Sequence, residues 1–374
     1  MMTKIPDGMY PPYQTPTPYL PVEPYGSPRR VRRSVPLLFL LPLVLFAGLF
    51  FGGSYLVSPE PDVEVQADIG VASANGRDVL LLPYERHGPR GMFQLMFQDM
   101  FQVRLAATDA ATGELLWDTQ LADDLVWQAS VLAAGERYAY VATDAGLVVL
   151  DLADGSKVAE GKGIEGLGDA FVAARWSYRY DPDNRRVMTM SGTGAVLAIP
   201  LDSATATPVD PQTSATWAGA LSERTFPDTR PSTVTKAGVR DGRVELRPRP
   251  GGAPGQVLVR ITPGGEEVQV GDVTFHEAGL LADGTAAAGF ASDHVMVVHS
   301  RHVNDKDRAL SAVSLATGAV TGSVPIDHSS FSRPATRANG ATAVGTGSAV
   351  AVLTPDGRLT ARPVGASDFF GNPS

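Results

Sequence analysis

Cysteine is absent from all 374 residues. That absence excludes disulfides, thiolate metal sites, cysteine nucleophiles and a lipidated cysteine, and it leaves the redox compartment unmarked. Charge is sparse, at 19% of residues, and aromatics make up only 7%. Sustained helical periodicity is missing after residue 60. So are three short motifs of catalysis: there is no Walker A loop, no G-x-S-x-G elbow and no H-E-x-x-H.

What charge there is falls unevenly. Residues 1–33 hold Lys4, Arg29, Arg30, Arg32 and Arg33 against Asp7 and Glu23, a net of +3, so the remainder carries −12 of the total −9. An acidic main domain is a poor partner for a polyanion, and no nucleic acid is expected to bind it. The tail itself has prolines at 6, 11, 12, 16, 18, 21, 24 and 28 with Tyr10, Tyr13, Tyr19 and Tyr25 between them. Proline at this density lacks ladder donors and favours extended polyproline II, so residues 1–33 read as a disordered cytoplasmic tail. Pro18–Pro21 and Pro21–Pro24 also have PxxP spacing, which would suit a proline-recognition module.

From Ser34 to Pro59 there are 26 residues without a charge. As a helix these would reach roughly 35–39 Å, enough for a hydrocarbon core of about 30 Å. The reading is a transmembrane helix over residues 34–58. Four arginines precede it and Glu60, Asp62, Glu64 and Asp68 follow, so the positive-inside rule puts the N-terminus in the cytoplasm and residues 59–374 outside the cell membrane. The apolar run is longer than a cleaved signal's, and no A-x-A site ends it.

Beyond the anchor, short runs of Val, Leu, Ala and Thr alternate with Gly, Asp, Asn and Pro turns about every ten residues, an all-β pattern. The clearest unit is Ala106–Gln120, AATDAATGELLWDTQ, read as strand, turn and strand. Asp109 can bond its own turn backbone, and Gly113 can take the positive φ that closes it. Related units read LVVLDLADGSKV from Leu147, AVLAIPLDSATATP from Ala195, VLVRITPGGEEV from Val257, LSAVSLATGAV from Leu310 and VAVLTPDGRL from Val350. With Asp109, Asp151, Pro200, Thr262, Ser314 and Thr354 as equivalents, the intervals are 42, 49, 62, 52 and 40 residues. A period in the forties with about four strands per unit suits propeller blades, which cannot bury both faces alone and must stack into a ring. Six or seven blades fit the length. The widest interval, 200–262, reads as a degenerate blade or a long exposed loop.

Asp109, Ala110, Thr112, Gly113 and Trp117 resemble the repeat of the quinoprotein-type (PQQ-like) β-propellers, A-x-D-A-x-T-G-x-x-x-W, and segments with Asp151 and Gly155, and with Gly318, resemble it more loosely. The resemblance implies a structural role for these residues, with Trp117 packed between blades. It also implies Glu, Asn and Asp ligands for a Ca²⁺-bound quinone in the enzymes, and this chain offers no matching set. The chain therefore resembles the non-enzymatic branch, with no cofactor and no catalytic residue, acting as a binding or assembly scaffold. A quinoprotein-type or lyase-like propeller enzyme, and a sensor coupled to the tail, are the alternatives.

Gly91–Arg104, GMFQLMFQDMFQVR, repeats Met, Phe and Gln every four residues. Helix and strand both align Phe93, Phe97 and Phe101, with Met92, Met96 and Met100 beside them, so the period leaves the element open. An exposed ridge this apolar is the first choice for a partner surface, toward an envelope protein or small ligand. His294, His299 and His302 read as strand and hairpin residues rather than zinc ligands, since His299 points away from the other two.

Overall fold

A computed structural model describes residues 34–121, 128–223, 232–326, 330–337 and 339–373. The proline-rich tail lies outside the described residues. The chain divides into two compact units at Phe50/Phe51.

In the first unit, α1 (Ser34–Ala47) continues through Pro42 to a π-helical turn, Gly48–Gly52, that runs across the boundary. α2 (Gly53–Val57) belongs to the second unit, and the helical run Leu40–Val57 is long and apolar enough to cross a membrane.

The second unit is mostly β. Its first meander comprises β1 (Asp62–Val65), β2 (Gly70–Ala74), β3 (Arg77–His87), β4 (Phe101–Asp109) and β5 (Leu115–Gln120), with α3 (Gly91–Phe97) between β3 and β4. β1 and β2 share the long β3, pairing with its two halves. The second meander runs β6 (Ala129–Ala134), β7 (Tyr138–Thr143), β8 (Gly146–Asp151) and β9 (Lys157–Glu160). The third runs β10 (Tyr178–Asp181), β11 (Arg186–Met190), β12 (Val196–Pro200) and β13 (Thr207–Pro208). There follow α4 (Pro211–Ser222) and β14 (Ser232–Val234). The fourth meander is β15 (Lys236–Val239), β16 (Gly242–Pro248), β17 (Gln256–Ile261) and β18 (Glu267–Gln269). The fifth is β19 (His276–Asp283), a short β20 (Ala286–Ala287), β21 (His294–Ser300), β22 (Arg308–Ser314) and β23 (Val320–Ile326). The sixth is β24 (Ala335–Thr336), β25 (Thr342–Thr346), β26 (Ala349–Leu353) and β27 (Leu359–Pro363). Apart from β1, which pairs with β3 beyond β2, and the short β20, which β19 passes over to pair with β21, consecutive strands within each meander pair antiparallel; β20 pairs with both β15 and β19, joining the fourth and fifth meanders into one sheet.

The middle strands carry unbroken apolar runs because both of their faces are covered. β8 is buried from Gly146 to Leu150, and β7 along its whole length. Such strands read as continuous hydrophobic segments rather than alternations. Alternate residues along a strand serve two different cores. In β3, Val79 and Leu81 join a core with Val141, Val148 and Leu150 of the second meander, whereas Leu80 and Leu82 join Val350 and Val352 of the sixth. Similar shared cores join the second meander to the third, the fourth to the fifth and the fifth to the sixth. This is a β-propeller arrangement.

The six equivalent turn residues all stand at the third-to-fourth-strand turn of successive meanders. Asp109, Asp151, Thr262, Ser314 and Thr354 each accept a backbone bond from the glycine that closes the turn, namely Gly113, Gly155, Gly265, Gly318 and Gly357. At the Pro200 turn, Asp202 takes the left-handed conformation instead, with φ 65°. Interval 200–262 holds strands of the fourth meander together with an inserted helix, α4, and β14. Asp210 caps α4 through Gln212 N and Thr213 N, with Pro211 at the first helical position.

Candidate interaction surfaces

Three places in the second unit gather polar or exposed apolar groups. The first is where the ends of the β domain meet. Val65 N donates to Gly347 O at 2.7 Å and Arg333 N to Ala67 O at 2.5 Å, while Arg337 pairs with Asp78. Inside the first meander, Tyr84 and Arg104 both donate to the buried Asp118 carboxylate, Arg104 Nε at 2.7 Å. Burial pushes the Asp118 carboxyl up against the opposing pull of Arg104, and burial together with Asp118 pushes the Tyr84 hydroxyl up, so Tyr84 stays a donor. Burial lowers Arg86, whose guanidinium donates to Gln94 Oε1 at 2.9 Å and Ser367 Oγ at 2.8 Å. Every charge here is engaged within the fold, which suits rigidity rather than reaction. Beside it, a cavity of about 320 Å³ is bounded by Asp118, Leu115, Arg362 and the segment Pro363–Ala366.

The second place is a cavity of about 500 Å³ lined by β6, β10 and the segments next to β2 and β24. Asp68 comes from the first meander, Ser130–Leu132 from the second, Tyr178–Tyr180 from the third and Arg333 from the sixth, and Trp217 of α4 also lines it. No single repeat builds this surface, and the sequence gives no local signal for it.

The third lies at the end of the apolar helix. Gly91 opens α3 with φ 78°, and a Cβ there would come 2.8 Å from Tyr55 N and Cα, so only glycine allows α3 to sit against α2. Met92 N donates to Ser54 Oγ at 2.9 Å, and Arg90 lies over the Tyr55 ring at 4.4 Å. The C-terminal segment packs on α3: Gln94 Nε2 donates to Asp368 O at 2.9 Å, and the Phe93 ring lies tilted against Phe369 and edge-on to Phe370, at 5.4 Å each.

The four-residue period of Met, Phe and Gln does not survive as one element. α3 ends at Phe97, Gln98 is extended, and Phe101 begins β4 against the ring of His87. Met92 and Phe93 are half-buried; Met96, Phe97, Met100 and Phe101 are exposed.

Trp117 on β5 is buried among first- and second-meander side chains, and its Nε1 donates to Leu152 O at 2.9 Å. A Cβ on Gly155, at φ 73°, would lie 2.5 Å from its ring. Gly113 faces Arg362 of the sixth meander, and Gly318 abuts Gly271 of the fourth. Asp109 Oδ1 accepts from Ala111 N and Thr112 N, and Asp151 Oδ1 from Ala153 N. The histidines do not converge: His294 Nδ1 meets Ser292 O, while His299 Nε2 meets Ser311 Oγ at 2.8 Å.

No family model matches the chain, and no curated protein matches it. Among solved structures it is similar to the "Crystal Structure Of The C-Terminal WD40 Domain Of Sif2", at 12% identity over 81% of this chain and 88% of that chain, with a TM-score of 0.26. At that score the likeness carries no weight, and the fold rests on strand pairing and shared cores.

Proposed function

We infer that the chain is a membrane-tethered binding module: a single span over 34–58, cytoplasmic at its N-terminus, carrying a six-bladed propeller that holds an envelope protein or small ligand on its outer side. The observation that carries this reading is the composite cavity framed by Asp68, Ser130, Tyr180, Trp217 and Arg333. Cavities of several hundred Å³ with a few polar groups in apolar walls are the usual form of ligand sites. Support for the ring comes from the core that the sixth meander shares with the first, and for the span from an 18-residue apolar run followed by acidic residues. The repeat chemistry at Asp109, Gly113 and Trp117 supports a non-enzymatic PQQ-like ancestry.

Two experiments test it. Single cysteines at positions 19 and 290 of the naturally cysteine-free chain, probed on whole cells with an impermeant maleimide, should label only at 290; the reverse pattern overturns the orientation. A photo-crosslinker at Tyr180 should give one discrete adduct in cells that Arg333→Ala and Trp217→Ala diminish. An adduct indifferent to both variants, or stoichiometric quinone and Ca²⁺ in the native protein, overturns the binding-module reading.

A further inference from the structure

Among the described residues of the β domain, Val158, Val268, Phe290, Val303 and Val320 are large hydrophobic side chains exposed singly. One group differs. Leu95, Met96 and Phe97 of α3, with Met100, Phe101 and the C-terminal Phe370, are all exposed, and α3 packs on α2, whose Leu56 and Val57 are exposed as well. Phe97 is 68% exposed and Val57 84%. Exposed apolar side chains gathered on adjoining elements mark an interaction site.

Its occupant follows from depth along the helix. Met92 N donates to Ser54 Oγ, three residues before the end of the apolar run at Val57, and Phe93 meets Phe51 edge-on, six residues before it. At about 1.5 Å per residue those contacts lie roughly 4.5 and 9 Å inside the end of the run. α3 is therefore level with the last two turns of the helix, not beyond them. A bilayer that takes in Leu40–Val57 must also meet the outward side of α3. Polar groups form the rim: the Arg90–Glu60 pair at 2.9 Å, and exposed Asp99 and Asp368. A short helix with an apolar side and a charged rim is suited to the headgroup–acyl boundary.

We propose that α3, together with Met100, Phe101 and Phe370, is embedded in the outer leaflet and holds the β domain down on the membrane. The proposal rests on the span reading above. It commits to lipid, through apolar insertion rather than charge, since the chain beyond its tail is strongly acidic.

The absence of cysteine makes the test direct. Spin labels are placed singly at Leu49→Cys, Leu56→Cys, Phe97→Cys and Phe290→Cys in the full chain, reconstituted in phosphatidylcholine vesicles. Accessibility to oxygen, which enters the bilayer, is compared with that to a polar nickel chelate. Position 290 follows β20, in the first-to-second-strand connection, and so lies at the opposite edge of the meanders from α3, which sits in a second-to-third-strand connection. The oxygen-to-nickel ratio at 97 should match that at 56 and exceed that at 290 several-fold. A ratio at 97 equal to that at 290 overturns the proposal, as does low access to both reagents, the sign of a second copy or other protein covering the face. A water-like ratio at 49 would instead reject the span itself. The variant Phe97→Ser with Met96→Ser, labelled at 56, should keep its ratio, showing that the span remains inserted.

Discussion

The junction of the sixth meander with the first contrasts with that of the third with the fourth. At the first of these, Leu80, Leu82 and Tyr84 interleave with Ala343, Val350 and Val352, and main-chain bonds tie β1 to the turn after β25. At the other, no shared core joins the two meanders among the described residues. Met188, Val196 and Ala198 pack on Leu221 of α4 instead, and Val257, Val259 and Ile261 of β17 form a cluster of their own. The closing turns show the same contrast. Gly113, Gly155, Gly318 and Gly357 each abut the preceding meander, and Asp202 accepts the N–H groups of Glu136, Arg137 and Tyr138; around Gly265 nothing lies within 4 Å. The longest sequence interval, 62 residues, falls at this place. An insertion is tolerated where it replaces one contact between repeats and leaves the others intact.

That contrast can be sharpened by substitution, taken from the largest effect down. Leu82→Ala, in the core between the two ends, should cost about 2–5 kcal/mol of unfolding free energy, whereas Val259→Ala on the isolated cluster should cost roughly 1 kcal/mol. Urea unfolding of the two variants compares them; equal losses would erase the distinction. Gly155→Ala adds a Cβ against Trp117 to an unfavourable φ and should cost about 1–3 kcal/mol, while Gly265→Ala, at φ 84° in open space, should cost about 1. Asp202→Ala removes three charge-assisted acceptor bonds between the second and third meanders, and thermal melts should report about 1–2 kcal/mol, part of which Asp202→Asn restores. Against the cost of its own burial, those donors hold the Asp202 carboxyl below its ordinary value, so its contribution is present above the unfolded pKa and fades as acid takes the pH through the lower folded one.

The smallest effect is at His299. Burial holds its imidazole below its ordinary value, packed on Phe275 and facing Ser311 with His276, Arg301 and Arg308 nearby. The neutral ring belongs to the folded state, so stability from this site is complete above the unfolded pKa and is lost as pH falls through the folded one. His299→Gln should flatten the melting temperature between pH 7 and 5; an unchanged slope would assign it elsewhere.

Turn chemistry was the legible part of the fold, because it is local. Asp109, Asp151, Pro200, Thr262, Ser314 and Thr354 could be aligned from residue type alone, and all six close equivalent turns. Asn75-Gly76, with φ 53° and 73°, is another such signal, a two-residue hairpin turn joining β2 to β3. α4 was hidden because its sequence, PQTSATWAGALS, has few apolar positions to mark a buried face. Only the Asp210-Pro211 cap announced it. The Met/Phe/Gln ridge could not be resolved because a period of four suits helix and strand alike, and tertiary contacts with Tyr55 and Phe369 decide where one gives way to the other. The composite cavity was out of reach, since its walls lie far apart in sequence and meet only when the repeats stack.

The central claim is that the two ends of the β domain seal against each other, and Asp78 and Arg337 report on it across 259 residues of chain. In the double variant Asp78→Cys/Arg337→Cys, a short bismaleimide should form an intramolecular bridge in the native monomer and none in urea. A native protein that bridges only between molecules, or not at all, would contradict the closed arrangement.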